Sequence, residues 1–193
     1  MTSELQKIYY TYKNNQKFSM DSMSQLSRDT NNNVNLVSDS TQAFDFDGVT
    51  KQLNKSKPSR PTSVDALYIN NKISFIEFKR GYKPSGYYND KYMENIIKSA
   101  KDSLNTHKDY LSKFPDITYS NSYNTLVAVI NSGKDGRPST AFGEALANRA
   151  SIESSLMSKL KSDLMKSFSG GIYYSFIYVW NDINFSDGLK AYL

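Results

Sequence analysis

The sequence predicts an α/β fold, a mixed sheet with helices packed on both of its faces. Three observations carry that expectation. Apolar residues recur at helical spacing in two long stretches, Tyr92, Ile96, Ala100, Leu104 and Leu111, then Phe142, Leu146, Leu156, Leu160 and Leu164. Runs rich in β-branched and aromatic residues mark strands near 64–69, 73–79, 125–130 and 172–180. Helices and strands alternate after an initial meander, a pattern that places strands in a mixed sheet with helices on either side.

Along the chain, Leu5, Ile8, Tyr9 and Tyr12 follow capping candidates Thr2 and Ser3, which predicts a first helix over Thr2–Tyr12. Residues 13–41 are polar and rich in Asn and Ser, with one short helix expected around Met20, Met23 and Leu26. Phe44-Asp45-Phe46-Asp47 alternates apolar and acidic residues as a half-buried strand does, with the two acids on the exposed side. A basic turn region follows from Lys51 to Pro61, holding Lys51, Lys55, Lys57 and Arg60. Strands at about Val64–Ile69 and Ile73–Lys79 flank Asn70, Asn71 and Lys72, and asparagine tolerates the backbone of hairpin loops. The first long helix ends near Phe114-Pro115, and Thr125–Ile130 reads as a buried strand. A second long helix is expected from about Thr140 to Phe168, broken by Gly170-Gly171, then a strand over Ile172–Trp180 and a short terminal helical turn. A single domain over 1–193 accommodates these elements, with a core at about 1–130 and a helix–strand extension at about 135–193.

Composition narrows the chemistry. The 193 residues are 38% hydrophobic and 13% aromatic, enough to bury a core. No apolar run approaches the roughly 20 residues that cross a bilayer, and Met1–Tyr12 lacks the pattern of a secretory signal, so a soluble, intracellular (cytoplasmic) protein with no membrane partner is expected. Cysteine is absent and His107 is the single histidine. Thiol nucleophiles, disulfides and cysteine- or multi-histidine metal sites are thereby excluded, and any metal must sit on carboxylate and carbonyl oxygens, which favours Mg²⁺, Mn²⁺ or Ca²⁺. The formal charge of +5 is compatible with a phosphate-backbone partner.

The informative segment runs from Ser63 to Lys79. Glu77 and Lys79 are two apart on a strand and share a face, while Phe78 points the other way. A two-residue loop would set Asp65 beside Ile76 and put it on the face opposite Glu77. A three-residue loop, Asn70-Asn71-Lys72, pairs Ile69 with Ile73, Leu67 with Phe75 and Asp65 with Glu77. The apolar pattern favours the second register, since a one-residue slip would turn every side chain to the wrong face. Two carboxylates so close repel each other, and a divalent cation relieves the repulsion. Such a metal can polarise a phosphoryl oxygen and activate water, with the Lys79 ammonium orienting the water or offsetting charge. The competing reading is a surface ion-pair ladder across the hairpin, which the apolar neighbours Ile73, Phe75, Ile76 and Phe78 disfavour.

Val64-Asp65 followed by Glu77-Phe78-Lys79 resembles the signature of the PD-(D/E)XK nuclease superfamily, and the resemblance spans roughly residues 1–130. It implies a restriction-endonuclease-like core of helix, three-strand meander, helix and strand. It also implies a Mg²⁺- or Mn²⁺-dependent nuclease hydrolysing phosphodiester bonds, with DNA endonuclease activity expected. Asp65, Glu77 and the Phe78 carbonyl would hold the metal, and Lys79 would have a catalytic or structuring role. The family often adds an acidic residue from the first helix, for which Glu4 is the candidate and Asp47 the alternative. Val64 stands where the signature has proline, and the 13–41 excursion and the elements after 135 are departures. Many enzymes of this type pair, so a homodimer is compatible with the resemblance. The alternative is the same fold without catalysis, binding nucleic acid or a protein partner.

Backbone phosphates would be gripped by the basic segments, through Lys51, Lys55, Lys57 and Arg60 in the first and Arg80, Tyr82, Lys83 and Lys91 in the second. On the long helix, Lys98, Lys101 and Lys108 lie with Lys91 opposite the apolar stripe, as a solvated face would. His107, between Thr106 and Lys108, is expected at the surface.

Overall fold

The computed structural model describes residues 1–29, 33–79, 90–130, 157–168 and 173–193, with the side chains of 90–92 outside the description. In chain order the elements are α1 (Ser3–Lys13), β1 (Met20–Ser22), α2 (Met23–Leu26), β2 (Arg28–Asp29), β3 (Val34–Asn35), β4 (Gln42–Asp45), α3 (Phe46–Leu53), β5 (Ala66–Ile69), β6 (Ile73–Lys79) and α4 (Asp90–Leu111). A 3₁₀ turn at Asn121–Tyr123 leads into β7 (Asn124–Ile130), and after the helical residues 157–167 (α5) come β8 (Phe176–Asn181) and α6 (Phe185–Tyr192). No helix among the described residues is long and apolar enough to cross a membrane.

Six strands form one mixed sheet in the order β1-β4-β5-β6-β7-β8. The first four are antiparallel and the last two run parallel to β6. Helices cover both faces, as the alternation of elements predicts. One core gathers α1, α3, α4 and α5 through Leu5, Ile8, Phe46, Val49, Ile96, Leu104, Leu160 and Leu164 over Leu67, Ile73 and Phe75. The other gathers Met23 of α2 with Phe185 and Leu189 of α6 over Ala66, Ile76, Val127 and Val129. β7 is buried at all seven positions, which is why it reads as a continuous apolar run.

The hairpin has the three-residue register. Ile69 pairs with Ile73, Leu67 with Phe75 and Ala66 with Ile76, and Asn70 donates to the Lys72 carbonyl across the loop. The first helix starts as its sequence predicts, with Thr2 capping the Leu5 N–H. The polar excursion holds the expected short helix at Met23–Leu26, and also two strands of two residues and one of three.

Three expectations need correction. Phe44 to Asp47 is not one strand. β4 ends at Asp45, which caps α3 by accepting the Gly48 N–H at 2.9 Å, so both Phe44 and Phe46 are buried and Lys51 lies in a helix rather than a turn. An Asp followed by a helix with Gly at its third position is a capping signal that outweighs a four-residue alternation. His107 is fully buried rather than exposed. It falls between Leu104 and Leu111 on the inward stripe of α4, and its Nδ1 lies 2.8 Å from the Tyr12 hydroxyl. Finally, β8 begins at Phe176, four residues later than expected, with residue 172 outside the description. The start expected for the second long helix and its Phe142, Leu146 and Leu156 also lie outside the described residues; Leu160 and Leu164 are buried as expected.

Candidate metal and phosphodiester site

Three backbone contacts fix Asp65 at the open end of the hairpin. Val64 N–H donates to the buried Ser103 hydroxyl of α4 at 2.8 Å, Asp65 N–H donates to the Ile76 carbonyl, and the Asp65 carbonyl accepts from Phe46 N–H. Thr62 binds the Asp102 carboxylate through both its N–H and its hydroxyl. The segment between α3 and β5 is thus pinned to the middle of α4. The Asp65 carboxylate accepts the Phe78 N–H at 2.7 Å, which extends the β5–β6 ladder to the end where Glu77 sits.

Glu77 is 1% exposed on β6. One carboxylate oxygen is ion-paired with the Lys79 ammonium, two residues on and on the same side of the strand. The other, Oε2, is buried without a hydrogen-bond partner. Burial, together with the negative charge of Asp65, pushes the Glu77 carboxyl well above the usual carboxylate range, although Lys79 works against this. Burial likewise raises Asp65, against the Phe78 N–H and the charge of Lys79, and the charges of Asp47 and Asp45 add to the rise. For Lys79, burial disfavours the ammonium, but the Glu77 carboxylate and then Asp65 outweigh it and hold its pKa above the ordinary lysine value. The arrangement is an acidic pair short of positive charge, with one lysine where two carboxylates meet.

Asp65 and Phe78 also line a cleft of about 260 Å³, together with Leu26, Arg28, Asp29 and Leu36 of the N-terminal excursion. Glu77 and Lys79 lie on the other side of β6 from the Phe78 ring, which packs edge-on against Phe185. Asp65 therefore belongs to both the carboxylate pair and the cleft.

The other sequence-derived residues divide clearly. Asp47 acts electrostatically on both Asp65 and Glu77. Its own carboxylate pairs with Lys51 and accepts the Ser63 hydroxyl at 2.9 Å; burial raises its pKa, but these bonds and the charges of Lys51 and Arg60 hold it below the ordinary value. Glu4 is elsewhere. It pairs with Lys7 and accepts the Thr118 N–H, in the segment leading to Asn124, and Asn124 pairs with Ile73 at the opposite end of β6 from Glu77. Lys51 is engaged by Asp47, whereas Lys55, Lys57 and Arg60 are exposed between α3 and β5. Arg80, Tyr82 and Lys83 lie outside the described residues, as does the Lys91 side chain. Lys98 is exposed as expected, while Lys101 lies within 6.0 Å of the Phe168 and Tyr173 rings. Sequence reasoning missed Arg28 and Asp29, because a hairpin with two-residue strands leaves no periodic trace.

Among the described residues no three His, Cys, Asp or Glu side chains gather as a metal-binding group. Asp65 and Glu77 still fit Mg²⁺ or Mn²⁺, since one or two carboxylates, with water and substrate phosphate, are the usual protein share of such a site. The unpartnered buried oxygen of Glu77 and the mutual repulsion of the pair are what a divalent cation would relieve. No protein-family model, curated protein or solved structure matches the chain.

Proposed function

We propose that the protein is a divalent-metal-dependent nuclease with a restriction-endonuclease-like core, acting on DNA. The succession α1, β4, β5, β6, α4 and β7, with β1, α2, β2 and β3 inserted after α1 and α3 inserted between β4 and β5, supports the fold assignment, being a helix, a three-strand meander, a helix and a strand. The observation that carries the functional reading is the buried, unpartnered Glu77 oxygen, beside Asp65 and next to Lys79 at the open end of the meander.

Asp65 and Glu77 would hold the cation, with the Phe78 carbonyl as an added oxygen. When bound, the metal supplies Lewis-acid polarisation of the phosphoryl oxygen and a more acidic water. The chain's own share is orientation and charge. Glu77 keeps Lys79 protonated and directed at the pair. The ammonium then offsets negative charge gathering on the phosphorus oxygens or positions the attacking water. Asp65 is held in place by the backbone on three sides, so its carboxylate does not have to be ordered when substrate arrives.

The second reading is a nucleic-acid-binding module of the same fold without catalysis, since a fold does not fix a function. One assay separates the two. Supercoiled plasmid, linear DNA and RNA are incubated with Mg²⁺, Mn²⁺ or EDTA, with wild type beside Glu77→Gln and Glu77→Ala. Metal-dependent cutting that both variants lose supports the nuclease. Binding of DNA without cutting in any metal, unchanged by either variant, supports the module.

A further inference from the structure

The cleft at Asp65 has a wall that the carboxylate pair does not explain. Arg28 begins β2, and Arg28 and Asp29 line the same space of about 260 Å³ as Asp65 and Phe78, with Leu26 and Leu36 as apolar lining. The wall is anchored rather than draped. Buried Ser27 accepts the Leu36 N–H through its carbonyl and the Val37 N–H through its hydroxyl, and that hydroxyl in turn donates to the Ser24 carbonyl. Arg28 is thus set at a fixed point immediately after an anchored residue. Its guanidinium donates to the Asn33 side chain, on a residue in the left-handed region at φ 54°, and makes no ion pair with a described residue. A guanidinium has five N–H donors, so most remain for a ligand.

We propose that Arg28 is a phosphate clamp, holding a backbone phosphate of one nucleic-acid strand at the cleft it lines together with Asp65. The planar fork of arginine suits two phosphate oxygens at once. The inference rests on the nuclease reading for the class of ligand, and assigns Arg28, with Ser27 that anchors it, a role in gripping substrate.

The test is binding, measured apart from cutting. Fluorescence anisotropy of a fluorescein-labelled 12-nucleotide single strand, and of its duplex, is followed in EDTA and in Ca²⁺ at several salt concentrations. Wild type is compared with Arg28→Ala, Arg28→Lys and Glu77→Gln. Loss of a charge-assisted phosphate contact predicts a Kd at least about tenfold weaker for Arg28→Ala. Its salt slope on the single strand falls by about 0.7, whereas Arg28→Lys retains the slope but not the full affinity. The exposed position of Arg28 leaves Tm unchanged. Wild-type affinity and slope in Arg28→Ala, or no binding by the wild type to either probe, overturns the clamp. If the wild type cuts and Glu77→Gln does not, while Arg28→Ala binds normally, the clamp fails and the nuclease stands. If nothing cuts yet binding depends on Arg28, the nuclease fails and the clamp stands.

Discussion

The Asp65 carboxylate accepts the backbone N–H of Phe78 at 2.7 Å, one step beyond the last ladder pair of the hairpin. The contact gives the side chain two separable roles, a neutral one toward the backbone and a charged one toward Glu77. Asp65→Asn keeps an oxygen for the Phe78 N–H and removes the charge, so it is expected to fold with a near-wild-type Tm and to lose metal-dependent cleavage. Asp65→Ala leaves the N–H without its acceptor and is expected to cost about 1–3 kcal/mol as well. Urea unfolding and plasmid cleavage of both variants make the comparison, and an Asn variant that cuts at the wild-type rate would remove Asp65 from the chemistry.

The Lys79 side chain is 27% exposed and that of its partner Glu77 2%. Removing the cation leaves a charged carboxylate in the interior with its second oxygen already unpartnered. Lys79→Met is therefore expected to destabilise by about 2 kcal/mol at pH 9.5, above the Glu77 pKa of about 8, less than the roughly 3–5 of a fully buried pair because the lysine is partly solvated. The sign with pH follows from Glu77, whose carboxyl is raised by burial and by Asp65. As pH falls, Glu77 takes up a proton more readily folded than unfolded, so the deficit should narrow at pH 5. A gap that is equal at both pH values would show that Glu77 is not what the lysine holds.

Much of this site is legible in the sequence because strand geometry has a period of two. Ile69, Ile73, Leu67 and Phe75 can share a face only in the three-residue-loop register, and that register brings Asp65 opposite Glu77. The Asp45 cap was hidden by its neighbours, since an acid between two phenylalanines suits either a strand or a helix start, and the Gly48 N–H decides it. The cleft wall was illegible for a different reason. Its shape comes from Ser27 tying Leu36 and Val37 to α2, contacts nine and ten residues apart among residues of low apolar content, where no periodicity can form.

His107 was legible in principle, lying three residues after Leu104 and four before Leu111, but its flanking polar residues pointed outward. Burial, with a smaller contribution from the charge of Lys108, pulls its pKa down to about 3. The titratable groups facing it are Tyr12, at its Nδ1, and Tyr119, whose ring lies edge-on at 5.1 Å. Because the unfolded histidine titrates near 6.5 and the folded one near 3, the unfolded state binds the extra proton between those values. The stability owed to neutral His107 is complete above about pH 6.5 and declines below it, by up to about 1.4 kcal/mol per pH unit. Urea unfolding of wild type and His107→Gln from pH 7 to pH 4 isolates this contribution. Parallel stability curves for the two would show that the histidine is not buried neutral.

α6 closes over the second core at the level of Trp180. A Cβ built on Gly188 would lie 2.7–2.9 Å from three atoms of the indole, closer than side chains approach. The ring cannot turn aside freely, since Tyr178 stacks on it at 5.3 Å and Phe185 and Tyr192 lie within 6.3 Å. Gly188→Ala therefore has to lift α6 from β8, and Leu189 and Phe185, which seal the core behind Ile76 and Phe78, move with it. Overpacking of this kind is expected to cost about 1–3 kcal/mol. Trp180 is the only tryptophan, so its emission reports the displacement directly. The variant should unfold at lower urea with a shifted native emission maximum, and cleavage should weaken because Phe78, the neighbour of both carboxylates, packs on Phe185. An alanine tolerated with unchanged emission and stability would mean that α6 does not rest on the indole.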